Sequence, residues 1–270
     1  MGAWLNNFEG SMSGAVEMTS PVSPLSTVVP VFNEADSIAD VLRECHTAVV
    51  RRWGGLFLVC EDGSTDGTPA VLARLAPELG LTVVSGPLRK GYAGAVRDGL
   101  GIADTPLVFF TDSDGQYDPK DFDALYARVD GHDMVIGWKV QRQEKIYRSF
   151  LSRGFHVLAK ALTGVPLHDM DCGFRLIRKE VIDAVLPEVR SLRYSFWAEF
   201  SILAYRKGFR ILEVPVSHRS RNQGGSSIYA WNKLPKILIS QVIGLLRLAY
   251  RLNRGSSTPT PPPVQQSPST

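Results

Sequence analysis

The chain has 270 residues, with 30 Lys and Arg against 27 Asp and Glu and five His, which allows one catalytic-sized domain and says little by itself about partners. Its three cysteines, Cys45, Cys60 and Cys172, are odd in number and lack metal-ligand spacing; the apolar surroundings of Cys45 and Cys60 favour reduced core thiols and a cytosolic compartment. Residues 1 to 24 have no basic start followed by an apolar run, Asn6 disfavours myristoylation, and no window reaches the roughly 18 uninterrupted apolar residues of a membrane span.

The positive charge is uneven. From Lys139 to Lys160 there are six Lys or Arg against one acid, and from Ser217 to Thr270 seven against none, so the second half is expected to meet an anionic partner.

In chain order, residues 1 to 24 read as disordered, because Gly, Ser, Pro and Thr cannot bury enough apolar surface. "LSTVVPV" predicts a first strand, and Ile38, Val41, Leu42, Cys45 and Val49 then recur at helical spacing. "LFLVC" predicts a second strand, followed by a helix with Val71, Leu72, Leu75 and Leu79 on one face. "LTVVS" is a third strand and "LVFFT" a fourth, after which Asp118-Pro119 opens a helix with a cap and a first-turn proline; "DMVIGW" is a fifth strand. Leu234 to Leu252 predicts an amphipathic helix interrupted by Lys236, Ser240, Gln241, Arg247 and Arg251, and the tail from Gly255 reads as disordered. We expect a disordered start (1–24), a catalytic domain (25–232), that helix (233–254) and the tail (255–270). Alternating strands and helices over the first 140 residues predict an α/β fold with a parallel sheet covered on both faces.

In such sheets ligands bind beyond the carboxyl ends of the strands. Asn33-Glu34 follows the first strand, Glu61-Asp62-Gly63-Ser64 the second and Asp112-Ser113-Asp114 the fourth. Residues two apart in an extended chain point the same way, so Asp112 and Asp114 present both carboxylates to one point. Like charges held together call for a cation; a hard divalent ion takes a carboxylate or two plus substrate phosphates and water, and Gln116 can add a carbonyl oxygen. Asp-Ser-Asp-Gly is equally good turn chemistry, and only the acids at the neighbouring strand ends favour the ion. Ser64 to Thr68 reads as local architecture with Asp66 or Thr68 capping the next helix, while Glu61 and Asp62 can accept from a base edge or ribose, with a ring at Phe32 and an acceptor at Glu34 beside them.

"PVFNE", "EDGSTDGT", "KGYAGAVRDG", "DSDGQYDP", "DMDCGFRL" and "EVPVSHRSRNQGGSS" stand in an order and spacing that resemble family 2 glycosyltransferases, most closely the branch making polyprenyl- or dolichyl-phosphate sugars. The resemblance covers roughly residues 25 to 230. It implies the nucleotide-sugar-binding GT-A fold, with a mostly parallel Rossmann-like sheet, and inverting transfer. Carried over where residues match, it puts Pro30, Phe32, Glu34, Val59 and Glu61 around the base and ribose, with Asp62 beside them. Asp112, Ser113, Asp114 and Gln116 would hold Mg²⁺ or Mn²⁺ and the diphosphate. Glu61 stands where this branch usually has Asp and Phe32 where it has Tyr, so guanine and uracil, as in GDP-mannose and UDP-glucose, both stay open. "GGSSIY" lacks the lysine that often follows.

A phosphate monoester acceptor is mostly dianionic at neutral pH and needs positioning cations instead of a general base. Lys139, Arg142, Lys145, Arg148 and Arg153 follow the fifth strand and Arg219 and Arg221 precede the glycines; the resemblance assigns phosphate handling to Lys139, Arg148, Ser152 and Arg221, and Lys145 and Arg153 read as surface cations. Asp169 occupies the family's aspartate position near the acceptor, and with Asp114 it is the candidate catalytic carboxylate. A hydroxyl acceptor would need Asp169 or Asp171 as base; a phosphate acceptor would leave them to orient Arg175 or a sugar hydroxyl. Glu199 reads as a cleft residue or a helix-surface acid. The amphipathic helix would lie on a membrane surface with its cations towards anionic headgroups, or else close the core or pair with a second subunit. The expectation is a metal-dependent transferase moving a hexose, mannose or glucose, from a nucleoside-diphosphate sugar to a polyprenyl phosphate, peripheral on the cytoplasmic face. The alternatives are transfer to a saccharide or small-molecule hydroxyl, and a non-catalytic nucleotide binder. Nucleic acid is not an expected partner, since the basic half has no recognised module and no stacking platform.

Overall fold

The computed structural model describes residues 25–86, 88–139, 146–219, 234–254 and 264–266, without the side chains of 146–152, 234, 265 and 266. Strand β1 (Leu25–Val31) is buried along its whole length and pairs in parallel with β2 (Leu56–Glu61) and β4 (Leu107–Thr111), while β3 (Leu81–Ser85) extends the sheet beyond β2. Central strands read as unbroken apolar runs because helices cover both faces. Further along come β5 (Met134–Lys139), β6 (Phe174–Arg178), β7 (Ile211–Val216) and a two-residue β8 (Gln265–Gln266), in the spatial order β3-β2-β1-β4-β6-β5-β7-β8. β6 alone runs against its neighbours β4 and β5. The segment entering β6 therefore arrives at the rim where the other strands leave.

The helices are α1 (Ile38–Cys45), continuing through a wide turn (His46–Val50) into α2 (Arg51–Trp53), then α3 (Thr68–Leu79), α4 (Tyr92–Ile102), α5 (Phe122–Tyr126), α6 (Ile146–Thr163), α7 (Lys179–Val185), α8 (Phe196–Arg206) and α9 (Leu234–Arg254). Successive residues of β4 serve opposite faces, as the pleat requires. Phe109 packs edge-on against Phe122 of α5 at 4.8 Å, and Phe110 against Trp197 of α8 at 4.5 Å. Asp118 caps the turn before α5, accepting from Lys120 N at 3.0 Å, as its pairing with Pro119 predicts. Helix α4 is less expected, since its three glycines weaken helix propensity. Gly99 repays that by close approach: a Cβ there would lie 2.4 Å from Val28 Cγ1 and 2.8 Å from Cys60 Sγ.

All three cysteines are free and buried; burial pushes the Cys45 and Cys60 thiols up to about 12 and Cys172 up to about 11. Within the tail that reads as disordered, Val264 packs against the core and Gln265–Gln266 pair in parallel with β7. The physical reason is the open edge of β7, whose backbone donors and acceptors accept one more strand.

Helix α9 closes the core with one face, where Leu245 and Leu248 are buried. The other face stays apolar and exposed, through Ile239, Ile243, Leu246 and Tyr250. No helix among the described residues is long and apolar enough to cross a membrane. The fastening of α9 runs through Glu199, which is neither in the cleft nor on the surface. Its fully buried carboxylate accepts from the backbone N–H groups of Arg190, Ser191 and Leu192 at 2.7 to 2.9 Å, and Arg251 of α9 approaches it at 3.4 Å. Backbone donors left unpaired in the interior are costly. Glu199→Ala should therefore lower stability by about 3 kcal/mol, read as a lower urea midpoint with an unchanged slope.

Candidate functional site

The paired acids Asp112 and Asp114, just beyond β4, occupy one corner of the rim. Asp112 leaves β4 with its backbone N–H on Gly173 O at 3.2 Å, beside the segment that enters β6. Gly173 has no side chain because none would fit: a Cβ there would stand 2.0 Å from Asp112 Oδ2. On its other oxygen Asp112 accepts from the Tyr92 hydroxyl at 2.8 Å, and Tyr92 in turn accepts from Trp197 Nε1 at 2.9 Å. Burial, followed by the charge of Asp114, pushes the Asp112 carboxyl up to about 7, against opposing pulls from Tyr92, Lys139 and Arg175. Asp114 Oδ1 accepts from Gln116 N at 3.1 Å, closing the turn between them. Gln116 itself is tied to the neighbouring segment, donating from Nε2 to Arg219 O at 3.4 Å.

Beneath this corner lies a buried cation. Arg175, with no exposed surface, donates from Nε to Cys172 O at 2.9 Å and from its terminal nitrogens to Ser201 Oγ and Met170 O, and its guanidinium lies 4.0 Å from the Trp197 ring centroid. Burial lowers its pKa from the usual arginine value. Glu213 of β7 does a similar service next door: buried, it accepts from the backbone N–H groups of His168 and Asp169 at 2.9 to 3.1 Å and holds the entry to β6 in place. Desolvation raises the Glu213 carboxyl above its ordinary value, with the His168 and Asp169 contacts pulling the other way. Asp169 is buried, and Asp171 accepts from Ala198 N at 3.0 Å at the start of α8.

The other half of the rim is braced loop on loop. Ser64, Thr65, Asp66 and Thr68 all bond to residues 33–35, and Asn33 takes a left-handed backbone with φ 53° to meet them. Glu61 folds back onto Ser64 N. Asp62, buried, accepts from Lys90 N at 2.7 Å and Gly91 N at 3.0 Å and so shapes the loop before α4. Arg89 bridges this half, 3.7 Å from Asp62 and with its guanidinium 3.7 Å from the centroid of Phe32.

Residues 26–186 match the family model described as "Glycosyl transferase family 2". A protein of Klebsiella pneumoniae subsp. pneumoniae named undecaprenyl-phosphate 4-deoxy-4-formamido-L-arabinose transferase is 31% identical over 237 residues, spanning 86% of this chain and 70% of its own. This chain is a family 2 glycosyltransferase. A protein of the same name from Salmonella choleraesuis is 28% identical over 239 residues, 86% of this chain and 71% of the other. Among solved structures, glucosyl-3-phosphoglycerate synthase from Mycobacterium tuberculosis, in complex with Mn²⁺, UDP and phosphoglyceric acid, aligns with a TM-score of 0.62 at 20% identity over 84% of this chain and 78% of the other. Mannosyl-3-phosphoglycerate synthase from Rubrobacter xylanophilus aligns with a TM-score of 0.57 at 18% identity, over 87% and 76%. The fold of the glycosyltransferase is GT-A.

Phe32, Glu34, Glu61, Asp62, Asp112, Ser113, Asp114 and Gln116 stand at or just beyond the ends of β1, β2 and β4, and Lys139 ends β5 with its amine 5.6 Å from the Tyr117 ring centroid. Two expected base contacts are placed differently. Val59 is 0% exposed and Pro30 is buried in the adjacent strand, so both support the rim from below instead of lining it. Strand residues before the last one face the sheet's covering helices, which leaves only terminal residues for a ligand. Glu61 and Asp62 each hold a backbone loop, and Arg219 pairs with Glu44 at 3.0 Å and with Asp118. Arg142, Lys145 and Arg221 lie outside the described residues, and Arg148 and Ser152 sit in α6 with their side chains outside them. Sequence reasoning missed Tyr92, Trp197, Glu213 and Arg89; Tyr92 and Glu213 stand inside quoted motifs, while Trp197 carried no signal. Gly173→Ala should force the Asp112 carboxylate aside at a cost of about 1–3 kcal/mol, and differential scanning fluorimetry should read a lowered melting temperature with no change in far-UV circular dichroism.

Proposed function

We propose that this glycosyltransferase moves a hexose, mannose or glucose, from a nucleoside-diphosphate sugar to a polyprenyl phosphate, with Mg²⁺ or Mn²⁺ at the Asp112–Asp114 corner. One observation carries the metal. Asp112 and Asp114 stand two residues apart just beyond β4, and burial followed by the charge of Asp114 pushes the Asp112 carboxyl up to about 7, a pairing that a divalent cation would relieve. Asp112 and Asp114 would hold the ion, with substrate phosphates and water completing its shell. When bound, the ion neutralises charge on the leaving diphosphate. The chain's own part is to hold Asp112 with Tyr92 and to place Lys139 nearby. The solved relative with Mn²⁺ and UDP supports the same ligand class.

On the donor side, the Phe32 ring under Arg89 and the acceptors Glu34 and Glu61 form the proposed nucleoside end, and Asp114 and Ser113 the diphosphate end. The acceptor reading rests on the two transferases named for undecaprenyl phosphate. A phosphate dianion brings its own nucleophilic oxygen, so Asp169, buried on a loop pinned by Glu213, serves to shape the acceptor side and need not take a proton. Lys139, Arg142, Arg148, Ser152 and Arg221 are the proposed phosphate-handling set. A lipid acceptor places the chain on a membrane surface, on the cytoplasmic face where nucleotide sugars are found, with the outward face of α9 as the contact.

Incubation with Mn²⁺ or Mg²⁺, each of a panel of labelled UDP- and GDP-sugars, and polyprenyl phosphate should give label extractable into butanol with one donor; no extractable label with any donor overturns the proposal. Asp169→Asn should retain most of the transfer to phosphate, whereas a hydroxyl acceptor would require it as base.

The metal has a separate signature. Without it, the folded protein holds the Asp112 proton to about pH 7, while an unfolded chain loses it near 3.8. The group's contribution to stability is thus full below the unfolded value and lost as pH rises towards 7. Metal-free wild type should lose stability relative to Asp112→Asn between pH 5 and 7.5, and Mn²⁺ should restore it at pH 7.5 far more than at pH 5, measured by thermal denaturation.

A further inference from the structure

A groove of about 630 Å³ opens between α4, residues 189–193 and α9. Five cations line it, Arg97, Arg190, Arg193, Lys236 and Arg247, and among the described residues no carboxylate does. Some exposed cations elsewhere are paired, as Arg43 is with Glu78, Arg52 with Asp123, Lys207 with Glu188 and Arg210 with Asp133. In the groove, Arg190, Lys236 and Arg247 are exposed and make no ion pair among the described residues. Concentrating like charge without neutralising it is unfavourable unless an anion is to be met there.

The groove is also half apolar. Phe196 and Ile243 line it with Ile239, which is 61% exposed, and the apolar strip continues outward along α9 through Leu246 and Tyr250. Its shape is fixed. Arg97 donates to Leu186 O at 3.0 Å and lies 5.6 Å from the Phe196 ring centroid. Gly244 admits Ser191 so closely that a Cβ would stand 2.6 Å from its carbonyl oxygen. Arg251 donates to Ser191 Oγ at 2.8 Å, and Glu199 holds the backbone of 190–192.

Cations at the wall and alkyl surface leading away from them match one chemistry, an anionic head joined to an apolar chain. The acceptor lipid has that chemistry too, but its phosphate must stand at the Asp112–Asp114 corner, and neither those aspartates nor Lys139 line this groove. We propose that the groove binds the phosphate headgroup of an anionic membrane phospholipid, distinct from the acceptor, and so seats the catalytic rim on an anionic bilayer. This rests on the proposed lipid acceptor and adds a second, non-reacting lipid to it.

The test is co-sedimentation of the full chain with vesicles of phosphatidylcholine alone and of phosphatidylcholine mixed equally with phosphatidylglycerol. Binding should favour the anionic vesicles and weaken steeply with salt. Replacing Arg190, Arg193 and Arg247 together with Ala should lower partition onto them about a hundredfold, each cation near the surface contributing roughly fivefold. The matching Arg→Lys triple variant should keep most of the binding. Equal wild-type binding to both vesicles, or an undiminished Ala variant, overturns the proposal. Saturable binding of inorganic phosphate that the Ala variant loses, without preference for anionic vesicles, would mark a free-phosphate site and overturn it as well. Transfer to polyprenyl phosphate in neutral detergent micelles should be unchanged in the Ala variant; its loss there would make the groove part of the acceptor site and overturn the separate-lipid assignment. A wild type inactive in micelles with every donor, yet bound to anionic vesicles through these arginines, would remove the acceptor reading and leave the groove standing.

Discussion

The site depends on one contact, the carboxylate of Asp112 packed against the bare α-carbon of Gly173. It exists because β6 is reversed. In a wholly parallel sheet the segment before a strand lies at the opposite edge from the residues that follow its neighbours; here the residues entering β6 come to the same edge as those leaving β4. That reversal lets a glycine just ahead of β6 stand against an aspartate just beyond β4. The Tyr92 hydroxyl then settles which way the carboxylate faces.

Buried carboxylates recur as loop fasteners. Asp62 gathers the backbone N–H groups ahead of α4, Glu213 those ahead of β6, and Glu199 those ahead of α8. Each stands on or beside regular structure and reaches the backbone N–H groups of a neighbouring loop. A buried anion surrounded by several N–H donors is well solvated by the protein, and removing it strands all of them at once. Two of the three, Asp62 and Glu213, brace the rim itself.

How far the sequence discloses this varies with the range of the interaction. β1 to β5 are legible because covered parallel strands are short apolar runs between turn residues, and Asp112 with Asp114 is legible because alternation along a strand is local. β6 is concealed by its charges: "FRLIR" carries two arginines, and nothing local announces that Arg175 is fully buried. α4 is concealed by glycines that serve contact with Val28 and Cys60. Tyr92 and Trp197 are 105 positions apart, and no pattern within either segment announces the other. Glu199 fails for the same reason, because its partners lie in a loop whose path depends on it.

The three enclosed thiols have a practical corollary. With values of about 12, 12 and 11 they are almost wholly protonated at neutral pH, and the thiolate is the reacting form. Alkylating reagents will thus label each sulfur at a pace set by how often its surroundings open. Cys172, beside the reversed strand, and Cys45, on α1 across the core, become two clocks built into one molecule, each timing the breathing of a different layer.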